Sequence, residues 1–554
     1  MRVGRCGGTE ISAGAGGLPR WVPWLVWGGV PVALGLLAIG LGRTFSWDVR
    51  NYHYYNGFAF LEDRIGHDLA PGARQSFHNP ILDVFFYLAY RHLPGPIAGF
   101  LLGFVHGLNF PLLFLVVWSV LRGPAAVGPR VLLALAITTC GVLHRTFLVQ
   151  VGGAAQDNVV SLFVLAGLAV LLAPLRASPR RDPVTPAQIL VAGGLLGAAV
   201  GLKPTAAIYA PGLALAVSFL PGASWKARCL RLFPLASGGL AGAAATGGFW
   251  ALRMERLTGN PIFPYLNQIF RSPLVPAHSF EYRRFLSSET LLYRDSSILD
   301  LEEWALRRLG SEDFRYPLLL VLVALLGLLW LGRRRLPRAT WVDSADGVFL
   351  SLFFLGSFVV WLKAFALERY LFAASLLTPL LAFFLLERVL AAPRLRGAAL
   401  AALLSVLVAS FDLSNQERVP WSPDPFEVDL SRIPVSGDAM VVMVDHSPTS
   451  YVIPAFPPGV RFVRPTGNLY LKPWNPLYRL IAGAVRDHPG PLFALFAGGK
   501  GETGAEALAA LGLERAREPC FKLRDRRIRD RLLLCPCLRR PEADPEAADP
   551  GAIP

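Results

Sequence analysis

The residues best suited to chemistry follow directly after the first long apolar run. They lie in FSWDVRNYHYYNGFAF, residues 45–60, where Asp48 is the first acid and Arg50, Tyr52 and His53 come next. A carboxylate can accept a proton as a bond forms, and neighbouring Tyr and His side chains can tune it for that task. The stretch therefore predicts a general base at Asp48. For Asp48 the alternative is a helix cap. The tyrosines of the stretch are expected to anchor an interfacial helix.

The chain around these residues is predicted to be an all-α polytopic membrane protein. It has 554 residues, 53% hydrophobic and 17% charged. Continuous apolar runs reach the ~20 residues that a helix needs to cross a bilayer, without the alternation of barrel strands. The net charge of +15 comes from arginines spread over short loops, which argues against nucleic-acid binding. We expect about eleven membrane helices, at 21–41, 97–121, 131–149, 158–175, 188–202, 205–220, 232–252, 316–332, 347–363, 370–388 and 397–411.

Positive charge in the short loops predicts the orientation. The loops on one side, beginning with 1–20, each carry several Lys or Arg, whereas the opposite short connections carry Lys203, Lys363 and Arg369. By the positive-inside rule the N-terminus is cytoplasmic and the C-terminus periplasmic. The abundance of Ala, Gly, Pro and Arg suggests a bacterium, so we expect a multi-pass protein of its inner membrane.

The predicted domains follow from this topology. A cytoplasmic tail, 1–20, precedes a transmembrane domain, 21–411, whose large outer loops are 42–96 and 253–315. Strand signals in AMVVMVDHSPTSYVI and PLFALFAG, with a helix signal in AEALAALGL, predict a small periplasmic α/β domain at 412–535. The Pro-rich tail, 536–554, is predicted to be disordered. In this exported domain a disulfide can persist, joining Cys520 to either Cys535 or Cys537.

Two short motifs carry a resemblance to a known family. Ser46-Trp47-Asp48 after the first helix, and His78-Asn79-Pro80 later in the same outer loop, resemble the C-type (GT-C) integral-membrane glycosyltransferases. The chain is similar to protein O-mannosyltransferases and aminoarabinose transferases among them. The resemblance implies a polyprenyl-phosphate-linked sugar as donor and chemistry on the outer face of the membrane. It also implies that Asp48 is the base that activates the acceptor.

Two further stretches resemble the family's donor-binding segments. GLLGAAVGLKPTAAIYAPGLAL, residues 194–215, contains Lys203, and KAFALERYLFAASLLTPLL, residues 363–381, contains Arg369, although its proline comes late. The resemblance implies that both cations bind the donor phosphate, Lys203 as a point charge and Arg369 bidentately. Two alternatives stay open. Lys203 can snorkel to the headgroups, and Glu368 can neutralise Arg369.

Weaker candidates for substrate binding surround these residues. In TGNPIFPYLNQIFRSP, residues 258–273, Asn260 and Asn267 can reach a sugar hydroxyl, or the stretch is a structural re-entrant loop. Asp157 precedes a helix, where its default role is a cap, but family members carry an acid near this place. The remaining weak candidates are Arg50, Tyr52, His53, His78 and Asn79.

The predicted function is that of a membrane glycosyltransferase. Asp48 takes a proton from the acceptor, a lipid, glycan or protein, which attacks the sugar and inverts its anomeric centre. The alternatives are a surface-polysaccharide polymerase or ligase and a transporter or flippase of lipid-linked substrates. The sequence identifies no certain cofactor, and we assign no residue to a metal. A divalent metal shared by Asp48 and Asp157 is left open, as are the sugar, the acceptor and the oligomeric state.

Overall fold

The structure of the protein is a computed structural model. It describes residues 18–122, 126–172, 184–220, 224–277, 315–331, 337, 339–364, 367–409, 417–422, 428–431, 433–469, 471–497, 501–523 and 532–540. The predicted cytoplasmic tail falls mostly outside these residues, and so do the second half of the loop 253–315 and the end of the predicted disordered tail.

Long helices build most of the described chain. Apolar runs fold in this way because a helix satisfies its backbone hydrogen bonds internally, as a bilayer requires. The α-helices of at least eight residues are Trp21–Leu41 (with one π turn), Tyr54–Leu61, Ile81–His92, Gly95–Gly107, Asn109–Val120, Val127–Val142, Asp157–Leu172, Pro186–Leu202, Tyr209–Ser218, Trp225–Thr258, Arg315–Leu331, Ser344–Ala364, Thr378–Val389, Pro393–Ala409, Pro476–Arg486 and Gly501–Ala509. Each predicted membrane segment overlaps one or more of these helices.

Length and composition identify fewer helices that can cross a membrane alone. Among the described residues, Trp21–Leu41, Gly95–Val120 and Ser344–Ala364 qualify. The helices Glu368–Leu376 and Thr378–Val389 qualify together, bent by 56°. The chain is thus a multi-pass membrane protein, and the count of eleven spans stays a prediction.

Small residues bring two of the helices into unusually close contact. In Pro186–Leu202 and Trp225–Thr258 the glycines face one another. A Cβ at Gly197 would lie 1.9 Å from the carbonyl oxygen of Gly239, and one at Gly242 would lie 2.0 Å from that of Gly194. Glycine therefore permits backbone-to-backbone packing, as at small-residue interfaces of membrane helices.

A mixed β-sheet with two flanking helices forms the C-terminal part, as the strand and helix signals predict. Its strands are β3 (Met440–Met443), β4 (Arg461–Val463), β5 (Leu492–Ala497), β6 (Leu513–Arg515), β7 (Phe521–Leu523) and β8 (Leu532–Arg539). The order is β4-β3-β5-β8-β6, with β7 also paired to β8. β3 runs parallel to β4 and β5, in the register Met440↔Arg461 and Met440↔Leu492, and β8 runs antiparallel to its neighbours.

The end of this sheet differs from the prediction in one respect. β8 continues to Arg539, so four residues of the predicted disordered tail belong to the sheet. A disulfide joins Cys520 to Cys535, and Cys537 is a buried free thiol. Of the two pairings left open by the sequence, the structure forms the first.

Several contacts join the C-terminal part of the chain to the loop after the first helix. The helix ends at Gly42, whose φ of +82° only glycine adopts without strain. The next residues form β1 (Arg43–Thr44), which pairs antiparallel with β2 (Arg418–Val419). Further on, Leu69 bridges to Val463 of β4. The separate two-stranded sheet of β1 and β2 therefore fixes one end of the segment that carries Asp48, and β4 of the larger sheet fixes the other.

Arg64 strengthens this junction. It forms two hydrogen bonds of 2.8 Å with the Asp68 carboxylate. Its guanidinium also donates to the carbonyls of Pro458 and Val460, at 2.5 Å each. One buried cation thus ties the loop to the residues that lead into β4.

Candidate functional site

Asp48 lies at the start of a single π turn, Val49–His53, and pairs with a distant arginine. Its carboxylate makes no capping hydrogen bond to that turn. It accepts a hydrogen bond from the Arg369 guanidinium instead. Burial raises the pKa of the Asp48 carboxyl, but the charges of Arg369, His53 and Lys203 outweigh burial and hold it below its usual value. Asp48 is therefore a carboxylate bound to a cation.

Lys203 forms a second ion pair beside the first. The helix Pro186–Leu202 ends before it because Pro204 follows, and Lys203 itself is extended. Its Nζ lies 2.6 Å from Oδ1 of Asp157, the first residue of the helix Asp157–Leu172. Only 17% of the Lys203 side chain is exposed. The ammonium thus faces a carboxylate rather than snorkelling outward.

The ring of Tyr370 brings the two ion pairs together. The ammonium of Lys203 lies 5.4 Å from the ring centroid and the guanidinium carbon of Arg369 lies 5.3 Å from it, which is cation–π distance. Tyr370 itself is fixed through its carbonyl, which accepts a hydrogen bond of 2.9 Å from the hydroxyl of Tyr209. Two cations and two carboxylates from distant parts of the chain therefore converge here.

Glu368 does not neutralise Arg369. Its Oε1 lies 3.1 Å from Nε2 of His144 and accepts a hydrogen bond of 2.9 Å from the Thr146 hydroxyl. The carboxylate that pairs with Arg369 is therefore that of Asp48 and not that of the neighbouring Glu368.

Buried aromatic side chains line the site next to Asp48. The ring of Tyr52 packs against His53 at 4.1 Å and edge-on against His78 at 5.7 Å between centroids. Burial and the charge of Asp48 raise the pKa of the Tyr52 phenol, which therefore stays a hydrogen-bond donor. Tyr52, Tyr54 and Tyr55 are each at most 7% exposed, so the predicted role of these tyrosines as interfacial anchors is wrong. They pack inside the protein.

His78 is held as a neutral imidazole. Its Nε2 lies 3.1 Å from the hydroxyl of Tyr265. Burial, together with the charges of Arg74, Lys203 and His53, lowers the pKa of His78 to about 3. The loop 258–273 thus reaches the site through Tyr265.

His53 makes a short hydrogen bond to a carboxylate that the sequence did not single out. Nδ1 of His53 lies 2.6 Å from Oδ1 of Asp83, in the helix Ile81–His92. The same carboxylate accepts hydrogen bonds from the side chains of Gln156, at 2.7 Å, and Asn56, at 3.3 Å. His53 and Asp83 are 3% and 1% exposed.

The fold that holds these groups occurs in a solved structure. ArnT from Cupriavidus metallidurans, bound to undecaprenyl phosphate, matches 93% of this chain and 98% of its own, with a TM-score of 0.51 and 14% sequence identity. The chain has a GT-C-like fold. The family suggested by the sequence motifs is thereby confirmed at the level of the fold. No protein-family model matches the chain, and no curated protein matches it by sequence.

Several predicted residues of this GT-C-like chain shape the backbone around the site. The Asn79 amide donates to the carbonyls of Gly201 and Thr246, and so ties the loop to the end of the helix Pro186–Leu202 and to the interior of the helix Trp225–Thr258. Asn260 and Asn267 hydrogen-bond to each other at 3.3 Å and to backbone atoms of their own loop. Arg50 lies over the ring of Phe45 at 5.2 Å. None of these contacts requires a substrate.

The described carboxylates are not arranged as a metal centre. Asp48 and Asp157 each face a cation, and the described residues hold no group of three or more His, Cys, Asp or Glu side chains that could bind a metal ion. The chemistry available to the site is that of two carboxylates, two cations and buried aromatic groups. Such a site can bind an anionic group and accept a proton.

Two residues of the site were missed from the sequence, and both left a signal. Asp83 is a lone acid within the apolar helix ILDVFFYLAYRH, and a buried acid there requires a partner. Tyr370 directly follows Arg369, and its ring lies beside both cations.

Proposed function

We propose that this chain transfers a sugar from a polyprenyl-phosphate donor to a lipid, glycan or protein acceptor. The observation that carries the proposal is the convergence of Lys203 and Arg369 on Tyr370, next to the carboxylate of Asp48. ArnT, which has this fold, is bound to undecaprenyl phosphate in its structure, and that supports a lipid phosphate as the anionic partner here.

The two cations would favour transfer over mere binding. A polyprenyl-phosphate sugar carries one negative charge on its phosphodiester, and the leaving phosphate gains a second as the bond to the sugar breaks. An ammonium and a guanidinium on either side of that phosphate bind the transition state more strongly than the donor. Lys203 and Arg369 are therefore assigned to the donor phosphate.

Donor binding would also change the partner of Asp48. A phosphate between the cations competes with Asp48 for Arg369 and with Asp157 for Lys203. Asp48 then becomes free to take the proton of an acceptor hydroxyl or amine as that atom attacks the anomeric carbon. The carbon–oxygen bond to phosphate breaks on the opposite side, so a single displacement inverts the anomeric centre.

The cellular setting of the proposal follows the charge of the loops. We place the chain in a bacterial inner membrane, with a cytoplasmic N-terminus, a transmembrane domain over residues 21–411 and a periplasmic C-terminal domain. The site then opens to the outer face, where polyprenyl-linked sugars meet their acceptors, and the aliphatic chain of the donor stays in the bilayer.

The test compares a deletion strain that carries the wild-type gene, Asp48→Asn or Asp63→Asn. Asp63 lies in the same loop, but its side chain is 85% exposed and pairs with Arg253 at the surface. Surface glycans and lipid-linked sugars are profiled by mass spectrometry, and protein levels in the membrane are matched. We expect wild type and Asp63→Asn to restore the sugar that the deletion strain lacks. Asp48→Asn should transfer this sugar about 10²–10⁴-fold more slowly than wild type, which is the contribution typical of a general base.

The opposite outcome is equally informative. Full restoration by Asp48→Asn would remove the base from the mechanism and favour the polymerase or transporter functions. An unchanged glycan profile in the deletion strain itself would refute a role in glycan transfer.

A further inference from the structure

One buried hydroxyl joins the segment that carries Lys203 to the segment that carries Arg369. It belongs to Tyr209, whose side chain is enclosed by the surrounding helices and is 2% exposed. The hydroxyl donates to the carbonyl of Tyr370 at 2.9 Å and accepts a hydrogen bond of 3.0 Å from the backbone N–H of Ala373. Both the donor and the acceptor of one phenol are therefore engaged between two distant segments of the chain.

The chain between Lys203 and Tyr209 is short and regular. The carbonyl of Lys203 accepts a hydrogen bond of 3.0 Å from the N–H of Ala206, and the 3₁₀ turn Pro204–Ile208 leads directly into the helix that begins at Tyr209. The ring of Tyr209 packs on that of Phe353, with the centroids 6.0 Å apart and the planes at 15°. Local structure and packing therefore set the position of the hydroxyl relative to Lys203.

The two hydrogen bonds reach the Arg369 segment where its backbone changes from a turn to a helix. Arg369 lies in the 3₁₀ turn Glu368–Leu371, and the helix Phe372–Leu376 follows at once. The first N–H groups of a helix have no partner within that helix, and the N–H of Ala373 is one of them. The phenol of Tyr209 supplies that partner, and its other hydrogen bond, to the residue after Arg369, holds the turn.

The ring of Tyr370 extends this constraint to both cations. Its centroid lies 5.4 Å from the ammonium of Lys203 and 5.3 Å from the guanidinium carbon of Arg369, so a shift of the ring changes the position that each charge favours. We propose that Tyr209 is a positioning residue for the donor phosphate, because its hydroxyl fixes the separation of Lys203 and Arg369. The inference rests on the proposed function, which assigns both cations to that phosphate, and deepens it.

A fixed separation of the cations strengthens the binding of phosphate. Two charges that are free to move must be ordered when the ligand binds, and that ordering costs free energy. Charges that are already in place bind without this cost, and they act most strongly on a phosphate that gains charge as its bond to the sugar breaks. Without the hydroxyl both cations remain, but their separation can vary.

Other contacts hold the turn that carries Arg369, but they come from other parts of the chain. Nε1 of Trp361 donates to the carbonyl of Leu367 at 2.7 Å, and the Glu368 carboxylate is bound by the two side chains already described. These contacts keep the turn folded but do not connect it to Lys203. Loss of the Tyr209 hydroxyl should therefore loosen the spacing of the cations without unfolding the turn.

The variant that tests this inference is Tyr209→Phe, which removes the hydroxyl and keeps the packed ring. Tyr316→Phe is the matched control. The Tyr316 side chain is also 2% exposed, and its hydroxyl forms a hydrogen bond with that of Ser375, in the helix that follows the Arg369 turn. Both variants therefore lose a buried tyrosine hydroxyl bound to the same part of the chain, but only Tyr209→Phe loses the connection to the Lys203 segment.

The experiment uses purified full-length protein in detergent. Unfolding is measured with increasing undecaprenyl phosphate or with undecaprenol, its uncharged counterpart, and the concentration dependence of the stabilisation gives a Kd for each lipid. We expect Tyr209→Phe to raise the Kd for undecaprenyl phosphate about 10-fold, the factor that one charge-assisted hydrogen bond contributes, and to leave the Kd for undecaprenol unchanged. Tyr316→Phe should keep both Kd values, because a lost structural hydrogen bond changes stability and not the preference for phosphate.

The outcomes separate this inference from the function on which it rests. If wild type prefers undecaprenyl phosphate to undecaprenol and Tyr209→Phe keeps that preference, the positioning role is refuted and the proposed function stands. If Tyr209→Phe weakens both lipids equally, or if Tyr316→Phe weakens the phosphate as much, the hydroxyl supports the fold and the inference is likewise overturned. If wild type itself shows no preference for the phosphate, the assignment of the two cations falls, and the inference falls with it.

Discussion

The ion pair of Lys203 and Asp157 allows the structural and functional roles of a charge to be measured separately. Their N–O distance is 2.6 Å, and their side chains are 17% and 8% exposed. At an effective dielectric constant of 20 the attraction is about 6 kcal/mol, but desolvation offsets much of it. Removing one partner leaves an uncompensated charge and costs about 3–5 kcal/mol. We expect Lys203→Met to lower the free energy of unfolding by that amount.

The double variant Lys203→Met/Asp157→Asn should recover most of this loss, because both charges are gone and replacing a buried pair is often neutral. Binding should not recover. We would measure unfolding in detergent with and without undecaprenyl phosphate, using undecaprenol as the uncharged control lipid. At 100 times its Kd, the phosphate should stabilise wild type by about 2.7 kcal/mol. The double variant should show a much smaller shift.

Two results would refute this reasoning. If Lys203→Met unfolds like wild type, the pair contributes nothing to stability and the carboxylate must be compensated elsewhere. If the double variant keeps the full shift with undecaprenyl phosphate, Lys203 does not bind the phosphate, and Arg369 or another group must do so.

Two further predictions concern the scaffold. The Glu387 carboxylate accepts hydrogen bonds of 3.0 Å from the backbone N–H groups of Thr340, Trp341 and Val342. Glu387→Ala should therefore lower the free energy of unfolding in detergent by about 3 kcal/mol, roughly 1 kcal/mol for each bond. Burial raises the pKa of Asp68, but hydrogen bonds from His67 and Arg64 and from a backbone N–H outweigh burial and hold it below the usual value. The charge of Asp68 therefore stabilises the fold above about pH 4, and this stabilisation is lost as the pH falls further. Unfolding midpoints measured from about pH 3 to 7 should show wild type more stable than Asp68→Asn at the upper end of the range, with the difference shrinking towards the lower end.

The helices were predictable because a bilayer leaves the chain few options. Each apolar run expected to span overlaps a helix, since a long run without charge must satisfy its backbone internally. The ends were less predictable. The helix Trp225–Thr258 extends beyond the expected 232–252 at both ends, where charged residues continue it. The strand Leu532–Arg539 was hidden by Pro536, a residue that argues against strands.

The charged residues of the site could be predicted individually from the sequence, but the ion pairs between them could not. Asp48, Lys203 and Arg369 stood out because each is a charge at the end of an apolar run. Nothing in a single sequence links Asp48 to a partner 321 residues away. Asp83 was overlooked because it is a single acid in an apolar segment, and only the folded chain shows that its carboxylate faces His53.

The alternative roles of these three charges have one feature in common, which is that each would be fulfilled within the charge's own segment. Asp48 would cap its own helix, Lys203 would reach the headgroups next to its helix end, and Arg369 would pair with the neighbouring Glu368. In the folded chain Asp48 and Lys203 are instead paired with residues of other segments, around one tyrosine ring. Under the proposed mechanism this arrangement couples two events. Asp48 is free to act as a base only when the donor phosphate has bound Arg369. The acceptor is therefore deprotonated only when a donor sugar is in place for it to attack.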